Sequence, residues 1–462
     1  MPKRLPVECT QAVITRREAI HAGLAGAAAL AVSPTLMSAL APRVRARPYL
    51  DTALSASRWL ERAVQRDGTG AWWPADPANA KAPTYDLYNG TTGVLPFWAE
   101  LHAATGEARA LEMVRAAADH LVTALGSVDR ADAGLYTGLA GMGWALGLAH
   151  RTTRDARHQA GAARVLELVK NGAAADRNGR GVQWADSTDI ISGAAGTGLY
   201  LLRAHSERRD DAALALATRA GHALVAAGES AEGGLRWKIN ATMPREYPNF
   251  SHGTAGVAFF LARLHVATRD RAFLDASLAG ARYLQAIATT TASDGRMVHH
   301  STPGNEQLFY MSWCHGPAGT ARLFHALGAI TGDVAHARYA DQLSAATIDM
   351  KVPERSPGFW NNVSQCCGNC GVTEYFVARH GLTRDAKALA FAETVARDTI
   401  ARGTVEGDGM KWVQAENRTS PEAVVAQTGL MQGAAGVGLA MLHLDGAVSG
   451  RRRVVVLPDD PF

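Results

Sequence analysis

The sequence predicts an all-α protein in which seven inner and seven outer helices form an α/α toroid. Three observations lead to this prediction. A Gly-x-x-Gly motif occurs seven times, each time ahead of an apolar segment. Segments rich in Ala and Leu recur between glycine-containing loops, and long alternating runs of β-branched residues are nearly absent. Since Ala and Leu are strong helix formers, the apolar segments are predicted to be helices.

The spacing of the motifs defines a repeat. Their first glycines are Gly90, Gly138, Gly193, Gly253, Gly316, Gly368 and Gly433, and the intervals are 48, 55, 60, 63, 52 and 65 residues. Each interval is long enough for two helices and their loops. Because the first and last motifs are as apolar as the middle ones and no polar capping repeat is evident, we expect a closed ring rather than an open solenoid.

The glycines of the motif allow two interpretations. In the segment from His252 to His265, small residues form the first turn and apolar residues follow. Glycines there permit close approach of backbones where helix ends crowd around an axis, and they also leave amide N–H groups open toward a ligand. For most of the motifs we favour close packing. In either case the loops gather at one end of the ring, where we expect the chemistry.

The first 48 residues differ from the rest of the chain. Arg16 and Arg17 precede a short apolar stretch over residues 22–32, and small residues follow around Ala41. This pattern predicts a twin-arginine-type signal peptide and linker over residues 1–48, a toroid over 49–448 and a tail over 449–462. We expect export to the periplasm or outside the cell, without stable membrane insertion after signal removal. The alternative is a basic, Ala-rich segment without a targeting role.

Charge argues against a nucleic-acid partner. The formal net charge is +4, and the Lys and Arg residues are scattered along the sequence. Nucleic-acid binding needs a basic patch or stripe, so a nucleic-acid partner is not expected. Oligomeric state is left open.

Four cysteines outside the predicted signal indicate a metal site. They are Cys314, Cys366, Cys367 and Cys370, whereas Cys9 would leave with the signal. Three thiols so close in sequence are poor candidates for stapling a large fold, and thiolates bind zinc tightly. Cys367 and Cys370 also have the Cys-x-x-Cys spacing of a zinc knuckle or a redox pair, so spacing alone leaves the ligand set open.

The glycine motifs, Trp313-Cys314 in the fifth repeat and Cys366-Cys367-Gly368 in the sixth together resemble the lanthionine synthetase C-like family of zinc cyclases. The similarity extends over roughly residues 80–445. It implies an α/α toroid and a Zn²⁺ ion bound by Cys314, Cys366 and Cys367, with Cys370 near the site or in reserve. The pair Cys366-Cys367 is similar to a Cys-Cys-Gly variant within that family.

The resemblance also implies catalytic roles. His252 matches the family's histidine acid, and Asp189 matches an aspartate that orients this histidine or handles its proton. Tyr310 stands where the family has an arginine, and His315 replaces an aromatic residue. Tyr310 is a candidate hydrogen-bond donor to an enolate, and His315 is a candidate acid or extra ligand. The implied activity is activation of a thiol for conjugate addition to a dehydroamino acid or similar electrophile, which forms a thioether.

Two other functions are compatible with the sequence. The departures at Tyr310 and His315 suit a non-catalytic toroid that binds zinc or a peptide. An exported carbohydrate-active toroid is the other, and it would need paired carboxylates across a cleft, for which Asp86 and Glu374 are candidates.

Overall fold

The computed structural model describes residues 46–176, 179–354 and 359–462. Over these ranges it is mostly helical, with short strands in the loops. The predicted signal peptide lies outside the described residues. The helices are α1 (Pro48–Ala63), α2 (Thr91–Thr105), α3 (Ala108–Ala124), α4 (Leu139–Thr153), α5 (Ala156–Asn171), α6 (Ala194–Arg208), α7 (Asp211–Ala227), α8 (Thr254–Thr268), α9 (Arg271–Ala286), α10 (Pro317–Thr331), α11 (Val334–Asp349), α12 (Asn369–Thr383), α13 (Ala386–Ala401) and α14 (Ala434–Ser449).

Seven of these helices begin directly after the first glycine of a motif. They are α2, α4, α6, α8, α10, α12 and α14, and they form the inner ring. Each contacts the next, and α14 contacts α2, so the ring closes. The other seven lie outside, each packed against an inner helix. The predicted all-α toroid with seven inner and seven outer helices is therefore confirmed for the described part of the chain.

The ring is completed by its two ends. The last inner helix, α14, is not followed in sequence by an outer helix. It packs instead against α1, the N-terminal helix of the toroid. Arg47, just before α1, donates from Nε to Asp445 Oδ1 at 3.1 Å. Seven complete helix pairs therefore form only when the N-terminal helix docks on the C-terminal one.

The turn from inner to outer helix has recurring chemistry. All seven inner helices end at a left-handed residue, such as Gly106 or Arg154. Five outer helices then begin at an aspartate whose carboxylate accepts a backbone N–H of the first turn. Such N-caps satisfy amide groups that have no partner within the helix. These aspartates are Asp155, Asp210, Asp270, Asp333 and Asp385.

A closed circle of backbone hydrogen bonds joins the motif loops of all seven repeats. In each repeat the bonds are made by the residue two positions before the first glycine. The third repeat differs in one respect: its carbonyl acceptor is Ile191, but its N–H donor is the preceding residue, Ile190. The bonds run Tyr88→Tyr136→Ile191, Ile190→Ser251→Cys314→Cys366→Met431 and Met431→Tyr88, from N–H to C=O at 2.9–3.1 Å. The circle fixes the spacing of neighbouring loops at the end of the ring where the chemistry is expected.

The second glycine of each motif is required by close packing. A methyl group at Gly256 would lie 2.1 Å from the carbonyl oxygen of Phe250, three residues before the first glycine. The equivalent distance is 1.8–2.3 Å in all seven repeats. Real Cβ atoms do not approach an oxygen so closely, so these contacts support the packing interpretation of the motif.

Short strands cover the outer and motif-end loops. In the described part of the chain, six antiparallel pairs are hairpins, and one parallel pair joins β9 to β10, with Tyr310 opposite Trp360. The parallel pair ties together the loops that lead into Cys314 and Cys366. The strands are β1 (Gln65–Asp67), β2 (Gly70–Trp72), β3 (Ala174–Ala175), β4 (Val182–Gln183), β5 (Glu229–Ala231), β6 (Gly234–Arg236), β7 (Thr289–Thr290), β8 (Arg296–Met297), β9 (Phe309–Tyr310), β10 (Phe359–Trp360), β11 (Thr404–Glu406), β12 (Gly409–Lys411), β13 (Val413–Ala415) and β14 (Val424–Ala426).

The residues after α14 return into the protein. Val455 is 1% exposed and Asp459 is fully buried. The backbone N–H groups of Val454 and Val455 donate to Glu100 Oε2 at 2.8 and 2.9 Å. Val455 and Asp459 therefore belong to the packed interior, whereas Val454 between Glu100 and solvent stays 46% exposed. Among the described residues, no helix is both long and apolar enough to cross a membrane.

Candidate metal centre

Three thiols converge at the motif end of repeats five and six. Cys314 and Cys366 each stand two residues before a first glycine, and the Cys314 N–H donates to the Cys366 carbonyl at 3.1 Å. Because this bond sets the two loops side by side, their side chains meet. The Sγ atoms of Cys314 and Cys367 are 3.5 Å apart, and all three sulfur atoms lie within 4.8 Å of one another.

The environment of the thiols suits a cation. Cys314 and Cys366 are buried and unoxidised, and Cys367 is partly buried. Burial raises the pKa of the Cys314 thiol, whereas hydrogen bonds from Cys314 and Cys366 lower the pKa of Cys367. A thiolate is thus favoured at the Cys367 sulfur, and the sulfur atoms of Cys314 and Cys366 beside it are two further ligand atoms. The three thiols together can therefore hold a metal ion. Its three soft donors fit zinc in type and number and leave room for a fourth ligand.

Cys370 does not join this group of thiols. It lies in the first turn of α12, is fully buried, and packs in the hydrophobic core. Burial raises the pKa of its thiol. The Cys-x-x-Cys spacing of Cys367 and Cys370 therefore does not produce a paired dithiol in the structure, because one cysteine precedes the helix and the other faces the core.

His252 and Asp189 meet across repeats four and three. His252 Nδ1 lies 2.5 Å from Asp189 Oδ2, and the other carboxylate oxygen, Oδ1, accepts the Ser192 N–H at 2.9 Å. Asp189 is 1% exposed, whereas the His252 side chain is about one-third exposed and lines the cavity beside the thiols. Asp189 therefore fixes the imidazole and leaves Nε2 free to face a substrate.

His315 and Tyr310 belong to a wall of aromatic rings. The ring centroid of His315 lies 5.7 Å from that of His252 and 4.4 Å from that of His300. Its Nδ1 is buried without a hydrogen-bond partner among the described residues. Burial lowers the pKa of His315 far below its usual value and that of His300 to about 4. Both rings are therefore neutral near pH 7, which favours His252 as the proton donor.

Tyr310 stands between the thiols and a cation. Burial raises the pKa of its hydroxyl, and the thiols of Cys367 and Cys314 add to the rise. The guanidinium of Arg418, which lines the same cavity, opposes that rise. Arg418 comes from the loop between β13 and β14, far away in sequence. The cavity that Tyr310 lines therefore contains an arginine that the local sequence around Tyr310 does not supply.

These groups share one cavity of about 660 Å³ at the motif end of the ring. Arg245 and Arg418 add positive charge, and Asp86 and Glu416 add carboxylates. Burial raises the pKa of both carboxyl groups. The cavity thus places a thiol cluster, a partly exposed histidine and a cation within reach of one small substrate or one peptide segment.

Asp86 and Glu374 do not form a pair across this cavity. Asp86 lines it, but Glu374 lies in the interior of the ring, where its carboxylate bonds His443 Nδ1 at 2.8 and 2.9 Å. The two carboxylates line different cavities. The expectation that they could act together on a glycan is therefore not supported by their placement.

Several cavity residues were not anticipated from the sequence. Tyr247 occupies the same position in repeat four as Tyr310 in repeat five, six residues before the first glycine, so alignment of the repeats would have identified it. His300, Arg245 and Arg418 come from loops of irregular length. No repeat signal marks these three, and only the fold brings them to the cavity.

Comparison with known proteins agrees with the fold. Residues 82–448 match the family model described as "Lanthionine synthetase C-like protein". No curated protein matches the chain.

Solved structures match over most of the chain. Nisin cyclase is similar with a TM-score of 0.60 and 16% identity, covering 85% of this chain and 97% of that one. An inactive variant of the α-1,6-mannanase GH76A of Salegentibacter sp. HEL1_6 aligns with a TM-score of 0.47 and 12% identity, over 87% and 99% of the two chains. A family 76 mannosidase from Bacteroides thetaiotaomicron VPI-5482 gives 0.48 and 13%, over 87% and 98%.

Proposed function

The chain belongs to the lanthionine synthetase C-like family, and from that premise we propose that it is a zinc-dependent enzyme that adds a thiol to a dehydroamino acid or similar electrophile. The convergence of Cys314, Cys366 and Cys367 beside His252 in one cavity carries this proposal. The product is a thioether, formed within a peptide or between a small thiol and an acceptor.

The three cysteines would hold the zinc ion and leave its fourth position to the substrate thiol. When bound, zinc would lower the pKa of that thiol and so supply a thiolate at neutral pH. The protein contributes the shape of the site. The bond from Cys314 N–H to the Cys366 carbonyl holds the two ligand loops at a fixed separation.

His252 is placed to complete the addition. The substrate sulfur forms a bond to the β-carbon of the acceptor, and the π electrons of the double bond move to an enolate. His252 then gives a proton from Nε2 to the α-carbon, while Asp189 holds Nδ1. The proton lost by the thiol equals the proton gained by carbon, so the reaction needs no further reactant.

In this proposal, Tyr310 and Arg418 stabilise the enolate. Both side chains line the cavity that contains the three thiols. A donor and a cation aimed at an oxygen that gains charge act most strongly inside a partly dry site. Tyr310 would donate a hydrogen bond to the enolate oxygen, and Arg418 would add the positive charge that a neutral hydroxyl lacks.

Metal analysis of the cysteine variants tests the zinc site. We expect one zinc per chain in the wild type, loss of zinc in Cys314→Ala, Cys366→Ala and Cys367→Ala, and retention in Cys370→Ala, whose thiol lies in the core. Circular dichroism checks that each variant is folded. A wild-type protein purified without chelators that contains no zinc and takes up none on titration would end the proposal.

A non-catalytic zinc or peptide-binding toroid is the alternative. Mass spectrometry of thiol addition to a dehydroalanine peptide separates the two. We expect zinc-loaded wild type to form the thioether and His252→Ala to lose at least 100-fold in rate, a typical contribution of a general acid. Zinc-loaded wild type that never consumes thiol would favour the binding function instead.

A further inference from the structure

A buried carboxylate near the end of the chain bonds the side chain of Trp313, the residue before the candidate metal ligand Cys314. Asp459, three residues before the C-terminus, is fully buried. Burial raises the pKa of this carboxyl group, and the guanidinium of Arg322 opposes the rise. Burying a carboxylate costs free energy unless hydrogen bonds replace those it made to water, so the contacts of Asp459 must supply that replacement.

Each oxygen of Asp459 has a partner on a different part of the ring. Trp313 Nε1 donates to Oδ2 at 3.0 Å, and the Tyr136 hydroxyl donates to Oδ1 at 3.1 Å. Arg322 Nη1 donates to the Asp459 carbonyl at 3.1 Å and lies 3.6 Å from Oδ2. The side chain therefore links repeat two to repeat five across the interior of the toroid.

The bond to Trp313 reaches the metal centre through one peptide unit. Trp313 is the residue immediately before Cys314 and is 4% exposed. Its indole also packs against the ring of Tyr136, with centroids 5.0 Å apart. With the indole held by Asp459 below and the Cys314 backbone held by the circle of hydrogen bonds, the Cys314 side chain has little freedom to leave the thiol group.

The sixth repeat shows the same arrangement. Gln365, immediately before Cys366, donates to Glu374 Oε1 at 3.3 Å and to the Gly436 carbonyl at 3.0 Å. Glu374 in turn bonds His443. His443 Nε2 lies 3.5 Å from Glu100 Oε2, which accepts backbone N–H groups of the C-terminal segment. The fifth-repeat loop thus bonds the C-terminal segment directly, through Trp313 and Asp459. The sixth-repeat loop is linked to that segment indirectly, through Glu374, His443 and Glu100.

We propose that the C-terminal segment, residues 451–462, is the internal support of the metal centre, and that Asp459 is a positioning residue that orients Cys314 through Trp313. The inference rests on the proposed zinc site. Groups that orient metal ligands through hydrogen bonds typically contribute 10–100-fold to metal affinity. Asp459 acts one residue further from the metal ligand, so we expect its contribution to zinc affinity to be about 10-fold.

Zinc affinity measured by competition with a chromophoric chelator tests the proposal. We expect Asp459→Ala to bind zinc about 10-fold more weakly than wild type. The visible spectrum of the Co²⁺-substituted protein should change as well, because it reports the geometry of the thiolates. Asp445→Ala is the matched control, since Asp445 is also a buried carboxylate but pairs with Arg47, outside the C-terminal segment and the ligand loops. It should keep wild-type affinity and spectrum.

Tyr136→Phe is a milder second variant, which tests the same contact if Asp459→Ala does not fold. It removes only the hydroxyl that donates to Asp459 and leaves Trp313 and the cysteine loops unchanged, so a lowered zinc affinity would be transmitted through Asp459. Wild-type affinity and cobalt spectrum in folded Asp459→Ala, or in Tyr136→Phe if Asp459→Ala is unfolded, would overturn the inference. A wild type that binds no zinc would instead overturn the proposed function.

Discussion

Cys314 and Cys366 occupy the same backbone position in neighbouring repeats, and this equivalence explains the ligand set. The position two before the first glycine belongs to the circle of backbone hydrogen bonds. Two side chains at that position in adjacent repeats must lie side by side. Cys367, one residue on, extends the group, whereas Cys370 is already inside α12 and faces the core. Position relative to the glycine therefore decides which thiols meet.

Arg418 provides the prediction at the residue scale. Replacing it with alanine removes the cation beside the Tyr310 hydroxyl. We expect kcat for thioether formation to fall about 100-fold, the usual effect of losing one donor to a developing oxyanion. Zinc content should not change, because the three thiols that can bind the metal do not include Arg418. Steady-state kinetics with a dehydroalanine peptide measures the effect.

The matched control for Arg418 is Arg338→Ala. Arg338 is an exposed arginine on the outer helix α11, away from the cavity. It should keep the wild-type rate. An Arg418→Ala protein as active as Arg338→Ala would show that Arg418 does not assist the addition.

The motif glycines act at the scale of the helix. At Gly256 a methyl group would meet the Phe250 carbonyl oxygen at 2.1 Å and Ile190 Cγ1 at 2.5 Å. We expect Gly256→Ala to lower the free energy of unfolding by about 3 kcal/mol or more, because backbone must shift to relieve the contact. Chemical denaturation followed by circular dichroism measures the change.

Gly381 is the matched control for Gly256. It also lies on an inner helix, α12, but no heavy atom lies within 4 Å of an added methyl group. Alanine there should be neutral or stabilise the protein by up to about 1 kcal/mol, the usual gain from replacing a helical glycine. Equal effects of the two substitutions would show that close packing is not the role of the motif.

Three elements meet at His443, and the contact should depend on pH. Burial alone would lower the pKa of His443, but the carboxylates of Glu374 and Glu100 outweigh it and raise the pKa to about 9. The folded protein thus holds a proton that the unfolded chain releases near pH 6.5. This stabilisation is fully present below pH 6.5 and is lost as pH rises through 9, with a magnitude of about 3 kcal/mol.

The pH dependence is measured by urea denaturation of metal-free protein at pH 6.5 and pH 9. His443→Gln has no proton to lose at this site, so we expect wild type to lose about 3 kcal/mol more than the variant over this interval. Titration of the cysteines is common to both proteins and cancels in the difference. Identical losses would mean that His443 is not charged in the folded protein.

At the scale of the whole molecule, closure removes the ends that an open solenoid would have. The inner helices contact one another all the way round, and the backbone circle passes through every motif loop. In an open array the terminal repeats have one neighbour and fray first. In this toroid every repeat has two.

Hydrogen exchange tests the closed ring. We expect the N–H groups of Tyr88 and Met431, in the first and last repeats, to exchange as slowly as those of Ser251 and Cys314 in the middle. Hairpin residues such as Thr404–Glu406, which are exposed, should exchange fast. Exchange measured by mass spectrometry that becomes faster toward the first and last repeats would indicate that the ring opens in solution.

Much of this architecture was predictable from local pattern. A glycine pair recurring at intervals of 48–65 residues marks the first turn of every inner helix, because only glycine tolerates the carbonyl contact found there. Helix type, the number of inner helices and closure of the ring follow from that pattern and the apolar segments after it. The cysteines indicated a metal site, but their spacing in sequence left the ligand set open.

The sequence by itself therefore determined the repeat, the all-α class and the end of the ring at which reactive residues gather, since these depend on residues within one helix and its loop. Only the tertiary structure decided that Cys370 faces the core, that Arg418 lies beside Tyr310, and that Asp459 lies beneath Trp313. These relations join residues up to 146 positions apart. They exist because ring closure brings loops and the chain end into contact, and no local period encodes such contacts.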